Sequence, residues 1–208
     1  MQQRARRSAA AAGGVEHAAA PHEAESGLRG RRRRANFGER IEATCTLVGY
    51  TAEDAANIDA SRAWIAAQIG AVTDEIYQEF LAQPETAAHF RDASGGIDRG
   101  SLAMRRAAFE GWLRSVTGDP LDVETAEYLA SVGHAHARRE RGATRIKARY
   151  LVSTIGSVQA AFTRILAAAV DDPSELAGYV AAWNKRLMIH LDMLLAVYGA
   201  TESSAHWY

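Results

Sequence analysis

Between Pro173 and Tyr198 the large apolar residues fall at Leu176, Val180, Trp183, Leu187, Leu191, Leu194 and Tyr198, in steps of four and three. That spacing is one unbroken face of a long helix over 174–198. A stripe of this length must be covered, and the rest of the chain offers mainly helices to cover it. No run alternates with period two between hairpin signals, so no strand is expected. The expected fold class is all-α, about eight helices in one domain.

The other helices follow from period and punctuation. "FGERIEATCTLVG" reads as a short amphipathic helix. Thr51 is the expected N-cap of the next, with Asp54 in its first turn. Residues 52–82 hold Ile58, Trp64, Ile65, Ile69, Val72, Ile76, Phe80 and Leu81, and two helices breaking near Gly70 are expected. Pro84 opens a short piece ending at Phe90, and "RDASGGIDRGS" is loop by composition. A helix over 101–116 carries Leu102, Phe109, Trp112, Leu113 and Val116. "TGDP" breaks it, and Asp119 or Asp122 starts a helix running to about Arg138. The final pair spans 147–170 and 174–198, joined at "DDPSE", where Ser174 is the expected cap.

Residues 1–36 differ. They are rich in Arg and Ala, hold no Trp, Phe or Tyr, and include "RGRRRR" (Arg29 to Arg34), a run that could touch nucleic acid or lipid but ordinarily is a solvated tail. Such a segment cannot bury enough to offset its ordering entropy and reads as a disordered tail. The expected domain is 37–200, with a C-terminal tail at 201–208. Over the whole chain the formal net charge is −1, which gives no electrostatic reason to expect nucleic acid or an anionic membrane. The single cysteine, Cys45, excludes an intrachain disulfide and a site built on several cysteines. No stretch reads as the ~20 apolar residues of a membrane span, and the arginine-led N-terminus does not read as a signal peptide. A cytoplasmic protein is expected.

"SVGHAHARRERG" holds two histidines two apart. Side chains so spaced diverge by about 200° on a helix, so His134 and His136 cannot both ligate one metal. Leu129, Val132 and His136 continue one stripe, which turns His136 inward and His134 outward. An inward helical histidine is ordinarily a core residue bonded to a carbonyl; a ligand or catalytic role is the alternative. The chain has no G-x-S-x-G, P-loop or H-E-x-x-H pattern, and its carboxylates are scattered.

"VGHAHARR" resembles the proximal-histidine segment of the protoglobins and of the related globin domains of globin-coupled sensors, with Gly133, His136 and Arg138 matching. "GYTAEDAANI" looks like the start of that family's A helix, "IYQEFLAQPETAAHF" like its B helix and following corner, and "RRAAFEGWL" like its E helix. "ARYLVSTIGSVQAAFTRIL" is similar to its G helix, and the segment around "AAWNKRL" to its H helix. Together these cover about residues 41–199. The protoglobins are the nearer match, since the sequence runs out after the last helix with no output domain.

The resemblance implies a globin fold with an extra N-terminal helix before helix A. It implies haem b as cofactor, His136 as the iron ligand, and O2, CO or NO as ligands. Tyr77 matches the distal tyrosine that hydrogen-bonds bound gas; taken alone it reads as an ordinary amphipathic packing residue. Phe109 matches the phenylalanine over the iron, and Arg105 falls at the distal gate. Phe90 matches the corner aromatic on the porphyrin, while Ile146, Thr154 and Val158 match the pocket stripe of the G helix. Ile76 stands where the family often places Trp, and Thr154 where an aromatic is common, which implies a wetter or roomier pocket. Gas binding or sensing is the implied function; an NO dioxygenase or peroxidase-like enzyme, or a sensor working through a separate partner, are the alternatives. The family pairs through its last two helices, and Met188, Ile189, Met193 and Leu195 lie outside the main stripe, so a homodimer is expected. Deleting residues 1–35 is expected to leave the haem absorption band and the melting temperature nearly unchanged; a large rise in haem loss would show the tail to be part of the fold.

Overall fold

The computed structural model describes residues 36–137 and 146–202. Arg138, part of the histidine motif, and the tail over 1–35 lie outside them. The described helices are α1 (36–47), α2 (Ala52–Ala67), α3 (Ile69–Ala82), α4 (Pro84–Ala87), α5 (Arg99–Gly118), α6 (Val123–Ala137), α7 (Ala148–Ala169) and α8 (Pro173–Glu202), with a 3-10 turn at Ala88–Phe90 after α4. Among the described residues the one β feature is an isolated antiparallel bridge between Arg91 and Ile97. The all-α expectation holds, and α1 is the extra helix ahead of α2.

α8 is the spine. It packs on α6, α7 and α2. Trp183 and Leu187 are 1% and 0% exposed, and Leu191, Leu194 and Tyr198 are also buried. Phe162 of α7 meets the Trp183 ring edge-on at 5.4 Å. The Trp183 indole N–H donates to Ser61 Oγ of α2 at 2.9 Å, so the polar atom of this buried ring is satisfied. Ile189 and Met193, outside the main stripe, are both 0% exposed within the single chain. They complete the chain's own core, so pairing of copies through α7 and α8 rests on the family resemblance alone.

The helix α7 is long and apolar enough to cross a bilayer by length and composition, with a mean hydropathy of 1.3. Its alanines raise that value. Leu151, Ile155, Val158, Phe162 and Leu166 are buried, and the helix packs on α8, α2 and α3 as a core helix does, while Val152 is 50% exposed.

Thr51 caps α2 as expected. Its Oγ1 accepts from Asp54 N, and Asp54 Oδ2 accepts from Thr51 N at 2.7 Å. The break between α2 and α3 falls at Gln68, near Gly70 as expected, where the Gln68 N–H closes on Ile65 O. One other boundary differs from expectation. The cap of α8 is Asp172, whose Oδ1 accepts from the N–H of Ser174 and Glu175 at 2.8 Å; Ser174 lies inside the helix. Asp122 similarly accepts from Thr125 N and starts α6. Trp64, placed on the core stripe by spacing, is 37% exposed and rests on Tyr179.

Asp54 also joins α2 to α8, since Lys185 Nζ lies 2.9 Å from both carboxylate oxygens. Burial opposes ionisation of Asp54, but Lys185 and Thr51 outweigh it and hold the carboxyl below its ordinary value. A depressed folded-state pKa contributes stability above the unfolded value, and that stability is lost as pH falls through the folded value. Asp54→Asn should therefore lower the urea midpoint at pH 7, with the gap to wild type closing below about pH 4. A gap of constant size across that range would show that the ionised carboxylate contributes nothing.

Candidate functional site

The helices enclose a cavity of about 550 Å³, of a size suited to a cofactor. Tyr77 and Phe80 of α3 reach it, with Phe90 of the 3-10 turn and Arg105, Phe109 and Trp112 of α5. Val132 and His136 of α6, Ile146, and Tyr150 and Thr154 of α7 complete most of the wall. Seven of the eight residues singled out from the sequence thus meet at one place. Val158 is the exception: it is 0% exposed and sits in the core, where the next turns of α7 leave the cavity for α8. Ile76 is also core and does not reach the cavity wall.

The histidine question is settled as to direction. His134 is exposed, while His136 is half-buried and faces the cavity. His136 Nδ1 lies 2.7 Å from the Val132 carbonyl one turn back. A carbonyl only accepts, so in the neutral tautomer Nδ1 carries the proton and the Nε2 lone pair has no partner among the described residues. One nitrogen is thus held by the backbone, and the other is of the kind that can coordinate a metal.

What places His136 is Gly133. A Cβ added at Gly133 would stand 2.2 Å from the Leu194 carbonyl oxygen and 3.1 Å from Val197 Cγ2. Only glycine lets α6 approach the α8 backbone this closely. The Ile146 N–H then donates to the His136 carbonyl at 3.2 Å, holding the end of α6 to the start of the α7 segment.

The wall around Tyr77 is aromatic. Its ring centroid lies 5.6 Å from Phe80, 5.7 Å from Phe90 and 5.9 Å from Phe109. Tyr77 is 5% exposed, and among the described residues no group takes its hydroxyl in a hydrogen bond. Burial pushes the pKa of that hydroxyl up to about 12, the Arg105 guanidinium opposing, so the group stays protonated and can donate. Arg105 itself lies over the Phe90 ring, Cζ to centroid 5.4 Å. The Thr154 hydroxyl donates to the Tyr150 carbonyl at 2.7 Å.

Part of the site is not marked by the sequence pattern. Spacing places Trp112 on the α5 stripe only as core, and it is a wall residue. His89 and Tyr150 line one margin, their rings 5.8 Å apart. Burial, with Arg105 and Lys147 nearby, lowers the His89 pKa and favours the neutral ring. The Tyr150 hydroxyl donates to Glu85 Oε2 at 2.8 Å, and Arg149 pairs with the same carboxylate. Among the described residues no three metal-binding side chains gather, so a zinc-type site has no support.

Long helices packed around an aromatic cavity, with one histidine offered from a helix, define a globin. The Protoglobin family model matches residues 37–204, and the chain belongs to that family. Protoglobins are haem-binding globins. Solved structures that share the fold include the following two. One is the globin domain of the Geobacter sulfurreducens globin-coupled sensor, 24% identical with a TM-score of 0.64, the match covering 76% of this chain and 96% of that one. The other is the ferric globin domain of E. coli DosC, 14% identical with a TM-score of 0.62, covering 76% and 99%. No curated protein matches the chain.

Proposed function

We propose that the chain holds haem b in this cavity and binds O2, CO or NO reversibly, as a gas-binding or gas-sensing globin. The observation that carries the reading is the His136 ring, which reaches the cavity with Nδ1 on the Val132 carbonyl and Nε2 free. The residues present fit the group. A neutral imidazole suits haem iron, and the carbonyl bond raises its basicity. Phe90 and Phe109 offer flat apolar contact, and the basic groups Arg105 and Lys147 near His89 suit the carboxylates of the porphyrin. When bound, haem supplies the open iron position at which a diatomic gas attaches. Tyr77 presents a protonated hydroxyl without an acceptor among the described residues.

The test is an absorption spectrum of the haem-loaded protein with and without dithionite, then under O2 and under CO. The reading requires a Soret band that shifts with each gas. A chain that stays colourless after haem addition overturns it. Tyr77→Phe then tests the donor, removing a hydroxyl and little volume. Loss of one bond of ~1.4 kcal/mol would speed O2 dissociation about tenfold, with CO, the less polar ligand, affected less. If the two gases shift alike, or neither shifts, Tyr77 is a packing residue.

A further inference from the structure

Behind the cavity wall, four buried polar atoms on α5 and α8 have no hydrogen-bond partner among the described residues: Trp112 Nε1, Ser115 Oγ, and both ring nitrogens of His190. His190 is 0% exposed, Trp112 5% and Ser115 6%. The register of the two helices brings them together. The Arg186 guanidinium of α8 donates to the carbonyls of Val116 and Asp119 at the end of α5. One turn along each helix, the His190 ring lies 6.3 Å from the Trp112 ring, tilted 68° to it. Ser115 is three residues from Trp112, on the same side of α5, and falls between these two crossings.

A neutral imidazole has one donor and one acceptor, an indole one donor, and a serine both. Buried polar groups are almost always satisfied, and the usual partner for a cluster with none is ordered water. Full burial, together with Arg186 beside the ring, keeps His190 neutral, pushing its pKa down to about 3. Protonation therefore does not resolve the mismatch. Water does, since it can accept from the Trp112 N–H and donate to the imidazole lone pair.

We propose that the seam between α5 and α8 contains an internal water-binding site held by Trp112 and His190, with Ser115 at its margin and Trp112 as the partition between it and the cavity. Trp112 serves both sides: its ring lies 5.4 Å from Phe109 of the cavity wall and 6.3 Å from His190. The site does not depend on the haem reading, because every group in it belongs to the chain.

The test uses the full-length, isotope-labelled protein. In wild type, the Trp112 indole proton should show a rotating-frame cross-peak to water, and a high-resolution crystal structure should show density within hydrogen-bond distance of Trp112 Nε1 or His190. His190→Leu should abolish the cross-peak. Ser115→Ala, a milder change, should keep it, because the water rather than the serine hydroxyl is its source. A direct Trp112–His190 hydrogen bond with no density between them, or a cross-peak lost in Ser115→Ala, overturns the proposal. If His190→Leu fails to fold, the wild-type density and the Ser115→Ala spectrum decide the matter.

Discussion

His136→Ala should pass through gel filtration without haem, while His134→Ala should elute with the wild-type Soret band. The two residues are two apart on one helix, so they share a local sequence and differ only in direction: His134 is exposed and His136 faces the cavity. The stronger form of the experiment is His136→Gly with added imidazole. A free imidazole can occupy the vacated space and reach the iron, so partial return of the Soret band would separate ligation from structural support. Circular dichroism should stay near wild type in each variant, since a half-buried ring contributes little to the core. Equal haem loss from the His134 and His136 variants would show that the inward nitrogen is not the ligand.

The direction of His136 is legible in the sequence because helical periodicity fixes which residues share a face. The same periodicity locates α7 and α8. It does not say which inward residues meet a neighbour and which meet a void. Val158 and Thr154 are one turn apart on α7 and both turn inward, yet only Thr154 lines the cavity. That distinction depends on where other helices cross α7, a long-range property. The pairing of Trp112 with His190 is hidden for the same reason: each sits among apolar neighbours in sequence, and they meet only once α5 lies along α8. The cap of α8 is a different kind of miss. Pro173 favours the first helical position, which points to Asp172 before it as the N-cap, so the signal is present in the sequence. The break at Gln68 is marked only approximately, by Gly70 two residues on, which itself lies within α3.

Gly133→Ala should destabilise the fold by about 1–3 kcal/mol, the usual cost of forcing extra atoms into a packed contact. The sign is the informative part. Within a helix, alanine is normally better than glycine by up to about 1 kcal/mol, so propensity alone predicts a gain. Here the new Cβ would stand 2.2 Å from a backbone carbonyl oxygen of α8, and backbone cannot swing aside as a flexible side chain would. To relieve the contact, α6 must move off α8 near Leu194, and it would carry His136 with it from one turn away. Haem retention should therefore fall along with stability. Gly156 of α7 supplies the control: a Cβ added there would meet nothing within 4 Å, so Gly156→Ala should follow propensity and raise the melting temperature. For a chain of this size each kcal/mol moves the midpoint by roughly 2–4 °C, so the two alanine variants should separate to opposite sides of wild type. A Gly133→Ala protein as stable as wild type would mean that α6 and α8 can part without cost, and that the glycine before the histidine is not what seats it.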